Sequence, residues 1–299
     1  MSIRAQPRRP RPGASVGPWL IAPAGILLVV FLLWPLVRTF QLSAYASDLL
    51  GNPTRFVGLG NYVSSLTDPD FLATLGISIV IALLGMALAT SAAVVVVLLL
   101  RRPLLARSLF NVVFSLPFAY SAASASVVFA GLFAPSVGAL NLLLARFGIT
   151  GPAWLATQGA AIWAIAIATA WYEFGFAFLV LTAAIRDIPP EIVEAAQLDG
   201  AGSFALARRI LLPMMRPSIL FLVVTQIISG LQTFAQVQIL TRGGPAGGTT
   251  TLVYRFYQLA FGNGVPDFGR ASVTAITLIL VIGVITFVQF RIFGGRPEE

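Results

Sequence analysis

Long apolar runs constrain this chain more than any other feature. Several of them exceed 18 residues with scarcely a charge, and short polar segments separate them. A helix of that length crosses the hydrocarbon layer of a bilayer, where every backbone polar group must be satisfied within the protein. Of the 299 residues, 58% are hydrophobic and 10% charged, far below the roughly 25% charged residues of a soluble domain. The expected fold is an all-α membrane protein. The length implies about six transmembrane helices with short connections, not two soluble domains.

What is missing narrows the chemistry. There is no cysteine and no histidine, and all 19 basic residues are arginine. A disulfide framework, a thiolate nucleophile, a His/Cys metal site and a Ser-His-Asp triad are therefore excluded. So is a phosphate-binding Walker loop, which needs a lysine. No catalytic residue and no metal ligand is assigned, and an ATP-driven process here needs an ATPase on another chain. The net charge of +8 could suggest nucleic acid, but the arginines are scattered at the ends of the runs, where positive charge sets membrane orientation. No nucleic-acid partner is expected.

In order, residues 1–18 form an Arg- and Pro-rich tail. The run from Trp19 to Phe40 resembles a signal peptide in its basic flank, but its length and lack of a small-residue cleavage site favour a retained first span. Residues 41–70 read as a loop with a short interfacial segment, FVGLGNYVSSL. The second span covers 72–100, with small residues at Ala82, Gly85, Ala89 and Ala93 spaced for close helix packing; the plainer alternative is that alanine is simply common here. The third span, 109–133, carries Pro117 and should kink there. A loop over 134–158 includes a short helix at 140–147, and the fourth span covers 159–184. After a polar stretch, the fifth span covers 218–240, the segment 241–269 is a loop with an amphipathic piece, and the sixth span covers 270–293, before a tail at 294–299. The spanning domain is thus 19–293.

The tails, the 101–107 turn and the 186–216 loop hold 13 of the arginines; Arg38, Arg55, Arg146, Arg242, Arg255 and Arg270 fall on the other side. By the positive-inside rule both termini and the 186–217 stretch are cytoplasmic.

That stretch, RDIPPEIVEAAQLDGAGSFALARRILLPMMRP, holds four arginines and four carboxylates. Asp187 suits an N-cap, and Pro189 and Pro190 suit a first helical turn. Glu191 and Glu194 lie near the positive end of the helix. Ile192, Val193, Ala195, Ala196 and Leu198 read as one compact apolar face. Gly200 and Gly202 allow a sharp turn, a second helix runs from Ala205 to Leu212, and Pro213 stops or redirects it. The physical reading is a helix–turn–helix across the inner membrane face; an ordinary amphipathic interfacial helix is the alternative.

The spacing Glu194-Ala195-Ala196, three residues, Gly200, nine residues, Ile210, one residue, Leu212-Pro213 resembles, at every signature position, the EAA loop of binding-protein-dependent ABC importer permeases. Asp199 before the glycine also fits. The resemblance implies the type I importer permease fold, with a coupling helix docked on an ATP-binding subunit. It implies two copies of that subunit, a second homologous permease chain and an extracytoplasmic substrate-binding protein, around a chain held in the lipid of a bacterial cytoplasmic membrane. ATP and magnesium would belong to the ATP-binding subunits, leaving this chain without a cofactor. FVGLGNY, DIPPEIVEAAQLDGAG, TRGGPAGGTTTLVYRFYQLAF and VQFRIF are similar to the sugar and glycerol-3-phosphate (maltose-type) class. The implied solute is a sugar or glycerophosphate-type compound. Gly243, Gly244 and Pro245 would then meet the binding protein; a plain connecting turn is the alternative.

Within the spans, at about 100° per residue, Thr225, Gln226, Ser229, Gly230, Gln232, Thr233 and Gln236 fall on one arc of about 160°. Such a stripe faces protein or water, not lipid. Glu173 beside Tyr172 in the fourth span, and Asn111 and Tyr120 in the third, complete the candidate pathway. Interhelical hydrogen bonding is the plainer account of the stripe. A proton-coupled secondary transporter using Glu173, and a structural scaffold, are the rival functions.

Overall fold

The computed structural model describes residues 17–101, 107–135, 137–262 and 264–293. Most of the expected N-terminal tail (1–16), Arg102 with the rest of 102–106, and the C-terminal tail 294–299 lie outside the described residues. The first apolar run forms α1 (Gly17–Leu28), a π-helical turn at Val29–Leu33, and α2 (Trp34–Ser43). Pro35 has no N–H and its ring crowds the turn before it; the helix widens directly upstream, where the Trp34 N–H donates to Val29 O. An antiparallel hairpin of β1 (Tyr45–Ser47) and β2 (Pro53–Phe56) follows. Next come α3 (Gly60–Leu66), within the FVGLGNYVSSL segment, α4 (Pro69–Leu99), α5 (Arg107–Ala119), α6 (Ala122–Leu132), α7 (Ala139–Arg146) and α8 (Gln158–Arg186). The polar stretch holds α9 (Pro190–Leu198), α10 (Ser203–Leu206), a π-helical turn at Ala207–Leu211, and α11 (Leu212–Met214). The chain ends through α12 (Arg216–Leu231), α13 (Ala235–Leu240), α14 (Leu252–Phe261) and α15 (Phe268–Phe293).

Four segments are long and apolar enough to cross a membrane unbroken: Ile21–Ser43, Pro69–Leu99, Gln158–Arg186 and Phe268–Arg291. Two further candidates are bent pairs, Ser108–Ala119 with Ala122–Leu132 at 102° and Ser203–Met214 with Arg216–Leu231 at 67°. The chain is therefore a helical membrane protein with four to six candidate spans. Two expectations need correction. The kink at Pro117 is a complete break a few residues later, where Ser121 starts a new helix by accepting from the Ser124 N–H at 3.1 Å. The fifth span is not one helix over 218–240, because α12 ends at Leu231.

α8 is the centre of the packing, with 61% of its apolar window buried. α4 lies along it, and α5 and α12 flank it. Ala82, Gly85, Ala89 and Ala93 of α4 are all buried. Their spacing thus marks a packing seam, not mere abundance of alanine. At the crossing of α4 and α12, a Cβ added to Gly230 would stand 2.7 Å from the Ala82 Cα, so only glycine allows the two backbones to meet. By contrast the Ile21–Ser43 segment has none of its window buried, and it rests on α15 through α2.

Asp68 ties the loops on one side of the bundle together. It caps α4 by accepting from the Asp70 N–H at 3.0 Å, and it pairs with Arg255 of α14 at 2.7 Å and Arg270 of α15 at 3.5 Å. Partial burial opposes its ionisation, but the Asp70 N–H and the two guanidinium groups outweigh that and hold the carboxyl below its ordinary value. A folded-state value below the unfolded one gives stability that is present above about pH 4 and lost as pH falls through the folded value. Asp68→Asn should therefore lower stability at neutral pH and flatten the acid-dependent loss, read by helical circular dichroism of the purified protein; identical acid profiles for variant and parent would contradict the clamp. At the helix crossing, Gly230→Val should cost about 1–3 kcal/mol by overpacking, while Gly76→Val, which meets open space, should leave thermal unfolding nearly unchanged.

Candidate functional site

In the 186–217 stretch, local chemistry sets the turn. Asp187 does not cap α9; it is the C-cap of α8, and α9 starts after Pro189 with no side-chain cap. The helix ends in a Schellman turn: the Gly200 N–H donates to Gln197 O at 3.1 Å and the Ala201 N–H to Ala196 O at 2.9 Å. Gly200 has φ +81°, a left-handed conformation that costs any residue with a Cβ. Gly202, at the start of α10, has ordinary extended backbone.

The expected single apolar face of α9 divides in two. Ala196 is buried and Val193 half-buried, packed with Leu206, Leu211, Ile188 and Leu181 on the underside of α8; Ile210 joins them from the second helix. Glu191, Ile192, Glu194, Ala195, Leu198 and Asp199 are exposed. Leu212 is half-buried and Pro213 exposed, with the bend falling at Met215. Leu198 at 89% and Phe204 at 78% exposure flank the turn. Phe204 was not singled out from sequence, although a large apolar residue beside the turn glycines was a usable signal. The result is a small, rigid, outward surface of alanine, carboxylates and two exposed apolar side chains.

The second site lies against α8. Tyr172 and Glu173 of α8, Ser229 of α12, the unwound residues Gln232, Thr233 and Phe234, Gln236 of α13 and Ala122 of α6 surround a cavity of about 320 Å³. Glu173 is 7% exposed, and one of its carboxylate oxygens accepts from the Ser229 hydroxyl. The break after Leu231 places these groups together. It also frees backbone groups, and one of them, Thr233 O, accepts from Thr251 Oγ1 at 3.1 Å. Irregular backbone at such depth needs a partner of this kind.

The rest of the predicted set divides. Gln226 is interhelical: its Oε1 accepts from Thr90 Oγ1 at 2.6 Å, and its Nε2 donates to Glu173 O at 3.5 Å. Thr225 bonds back to Phe221 O of its own helix at 2.9 Å. Tyr120 lines a different, mostly apolar cavity of about 380 Å³ with Pro117 and Trp171. Asn111 is half-buried on α5 and lines neither cavity. Thr90 and Thr251, both absent from the predicted set, hold the site in place.

The segment 241–251 folds on itself. Thr249 Oγ1 donates to Gly244 O at 2.6 Å, and Thr249 N to Gly243 O at 3.1 Å. Gly243 is buried, its absent Cβ position lying 2.8 Å from Tyr254 Cε1. Gly244 and Pro245 are half-buried, and Arg242, Ala246 and Gly247 form the exposed tip.

The chain is thus a helical membrane protein with an exposed short helix before a glycine turn and a polar cavity beside its central helix. The family described as binding-protein-dependent transport system inner membrane component matches residues 85–297, and the chain belongs to it, as a permease subunit of an ABC importer and not an enzyme. Its relatives include two proteins named sn-glycerol-3-phosphate transport system permease protein UgpA. That of Brucella abortus biovar 1 (strain 9-941) is 31% identical over 281 residues, covering 93% of this chain and 94% of the relative. That of Yersinia pestis bv. Antiqua (strain Antiqua) is 32% identical over 293 residues, covering 95% and 96%. The fold is similar to a chain in the crystal structure of a bacterial alginate ABC transporter in complex with alginate pentasaccharide-bound periplasmic protein, with a TM-score of 0.80 and 20% identity over 94% of this chain and 96% of that one. A second structure, of a bacterial ABC transporter involved in the import of the acidic polysaccharide alginate, gives 0.77 at 21% identity over 92% and 95%. The type I importer permease fold, the multi-pass membrane class and the family resemblance read from the EAA loop are therefore correct.

Because Glu173 and Ser229 join α8 to α12 at the cavity, Glu173→Gln, which leaves Ser229 an acceptor and removes only the ionisable carboxyl, should cut uptake by the assembled importer by about tenfold, the effect of about 1.4 kcal/mol. Membrane expression should be unchanged. Unaltered uptake kinetics would remove Glu173 from the pathway.

Proposed function

We propose that this chain forms one half of the translocation pathway for a sugar or glycerophosphate-type solute and takes its power stroke through α9. The six-span reading, with each bent pair counted as one span, puts both termini and α9 in the cytoplasm; the excess of arginine on that side supports it. The partners are a second homologous permease, two copies of an ATP-binding subunit and an extracytoplasmic substrate-binding protein, with membrane lipid around the apolar faces. ATP and magnesium sit on the ATP-binding subunits, and this chain carries no cofactor. The UgpA relatives support the glycerophosphate option, and the sugar-importer structures support a carbohydrate.

The observation that carries the reading is the outward surface of α9. Glu191, Glu194, Ala195, Leu198 and Asp199 are presented to solvent while Ala196 and Ile210 anchor the loop to the underside of α8. A push on that surface passes directly to α8 and α12, whose two arrangements would face the two sides of the membrane in turn. The cavity at Tyr172, Glu173, Ser229, Gln232, Thr233 and Gln236 is the pathway, Gln226 supports it, and Asn111 and Tyr120 lie off it. The exposed tip at Arg242, Ala246 and Gly247, beside Gly243, Gly244 and Pro245, is where the binding protein docks. The proton-coupled alternative through Glu173 predicts uptake without an ATPase, and membership of this family does not favour it.

Gly200→Leu tests the coupling. A Cβ there meets nothing within 4 Å, so the complex should assemble, but the left-handed turn is strained by about 1 kcal/mol and the new side chain projects at the docking surface. In proteoliposomes with all subunits, ATP hydrolysis should persist while uptake falls at least about tenfold, the effect of about 1.4 kcal/mol at the interface. Normal coupled uptake would overturn the role of α9.

A further inference from the structure

The cavity beside α8 carries a chemical signature that its assignment as a pathway does not use. Its one acidic group is Glu173. None of its lining residues is basic: α8 carries its single arginine at its last residue, Arg186, α12 at its first, Arg216, and α6 and α13 carry none. Thr233 is 4% and Gln236 5% exposed, and both line the cavity. Gln232 is exposed at the mouth of the same cavity, and Glu173 uses one carboxylate oxygen on Ser229 and keeps the other.

We infer that this cavity takes an uncharged polyhydroxyl group, a neutral sugar unit or the glycerol end of a larger solute, and rejects phosphate. Amide and hydroxyl groups both donate and accept, which matches ring hydroxyls. A carboxyl oxygen accepts from a sugar hydroxyl, whereas a phosphate would enter low-dielectric surroundings beside an acidic group with no cation in the lining to pair it. Any anionic group on the solute must therefore be met by another chain of the importer. The inference rests on the cavity being the pathway.

The absence of cysteine makes a direct test available. Gln232→Cys, or Ala235→Cys as a second site on the same wall, gives this chain one thiol. In the assembled importer, that thiol is labelled with cationic, neutral and anionic methanethiosulfonates of equal size and read by the mass of this chain. The cationic reagent should react at least about tenfold faster than the anionic one, and the ratio should collapse towards one when Glu173→Gln is added. Trehalose should protect the thiol, and sn-glycerol 3-phosphate at the same concentration should not. An anionic reagent that reacts as fast as the cationic one, or protection by glycerol 3-phosphate without protection by the sugar, overturns the inference. ATP-dependent uptake is measured on vesicles carrying the cysteine-free parent importer: its complete absence, with the charge ratio intact in the thiol variants, would sink the importer pathway and leave the charge selection of the cavity standing.

Discussion

Close backbone approach along α8 is the constraint on which the rest of the structure depends. In hydrocarbon there is no hydrophobic drive between helices, so packing and internal hydrogen bonds hold the bundle. The alanine and glycine seam of α4 and the contact of Gly230 with Ala82 bring three helices near enough for Gln226 to reach both Thr90 and Glu173. Replace that seam with larger residues and the polar groups beside it lose their partners. A buried carboxylate is tolerable here because the seam places a hydroxyl against it.

The broken helices follow from the same requirement. Ending α12 at Leu231 releases backbone groups that lipid could not satisfy. Thr251 takes one of them, and Leu252 N in turn is held by Ser78 Oγ at 2.8 Å. The buried threonines at 249–251 thus belong to the site's support as much as to the loop. The break turns Gln232, Thr233 and Gln236 onto one cavity wall, which a continuous helix would have spread along its length. Function and irregularity coincide because a polar cavity is the place where unwound backbone can persist.

The polar stretch at 186–217 works by a division of labour between neighbouring residues. Ala196 faces the bundle while Ala195, one position away, faces out. Helix periodicity makes such a split unavoidable for adjacent residues, so a motif written as a run of letters contains both anchor and contact positions. Gly200 fixes the geometry between them through its backbone alone.

Much of this was legible in the sequence wherever the cause was local. Apolar run length set the membrane class, and the spacing from Glu194 to Pro213 set the family. The three-and-four spacing of small residues set the seam, and Gly200 set the turn, since a left-handed C-terminal position selects glycine by its own sterics. The tertiary structure decided what depended on distant neighbours. The 160° stripe was real only up to Leu231, because a helix wheel assumes a continuous helix and the break is stabilised by Thr251 from another segment. Asp187 became the end of α8, not the start of α9, and Ile192 and Leu198 turned outward, because Ala196 and Val193 lie on the side of α9 that packs under α8. Which polar side chains face the cavity was settled by packing against α4 and α8, contacts between residues more than fifty positions apart that no local pattern encodes.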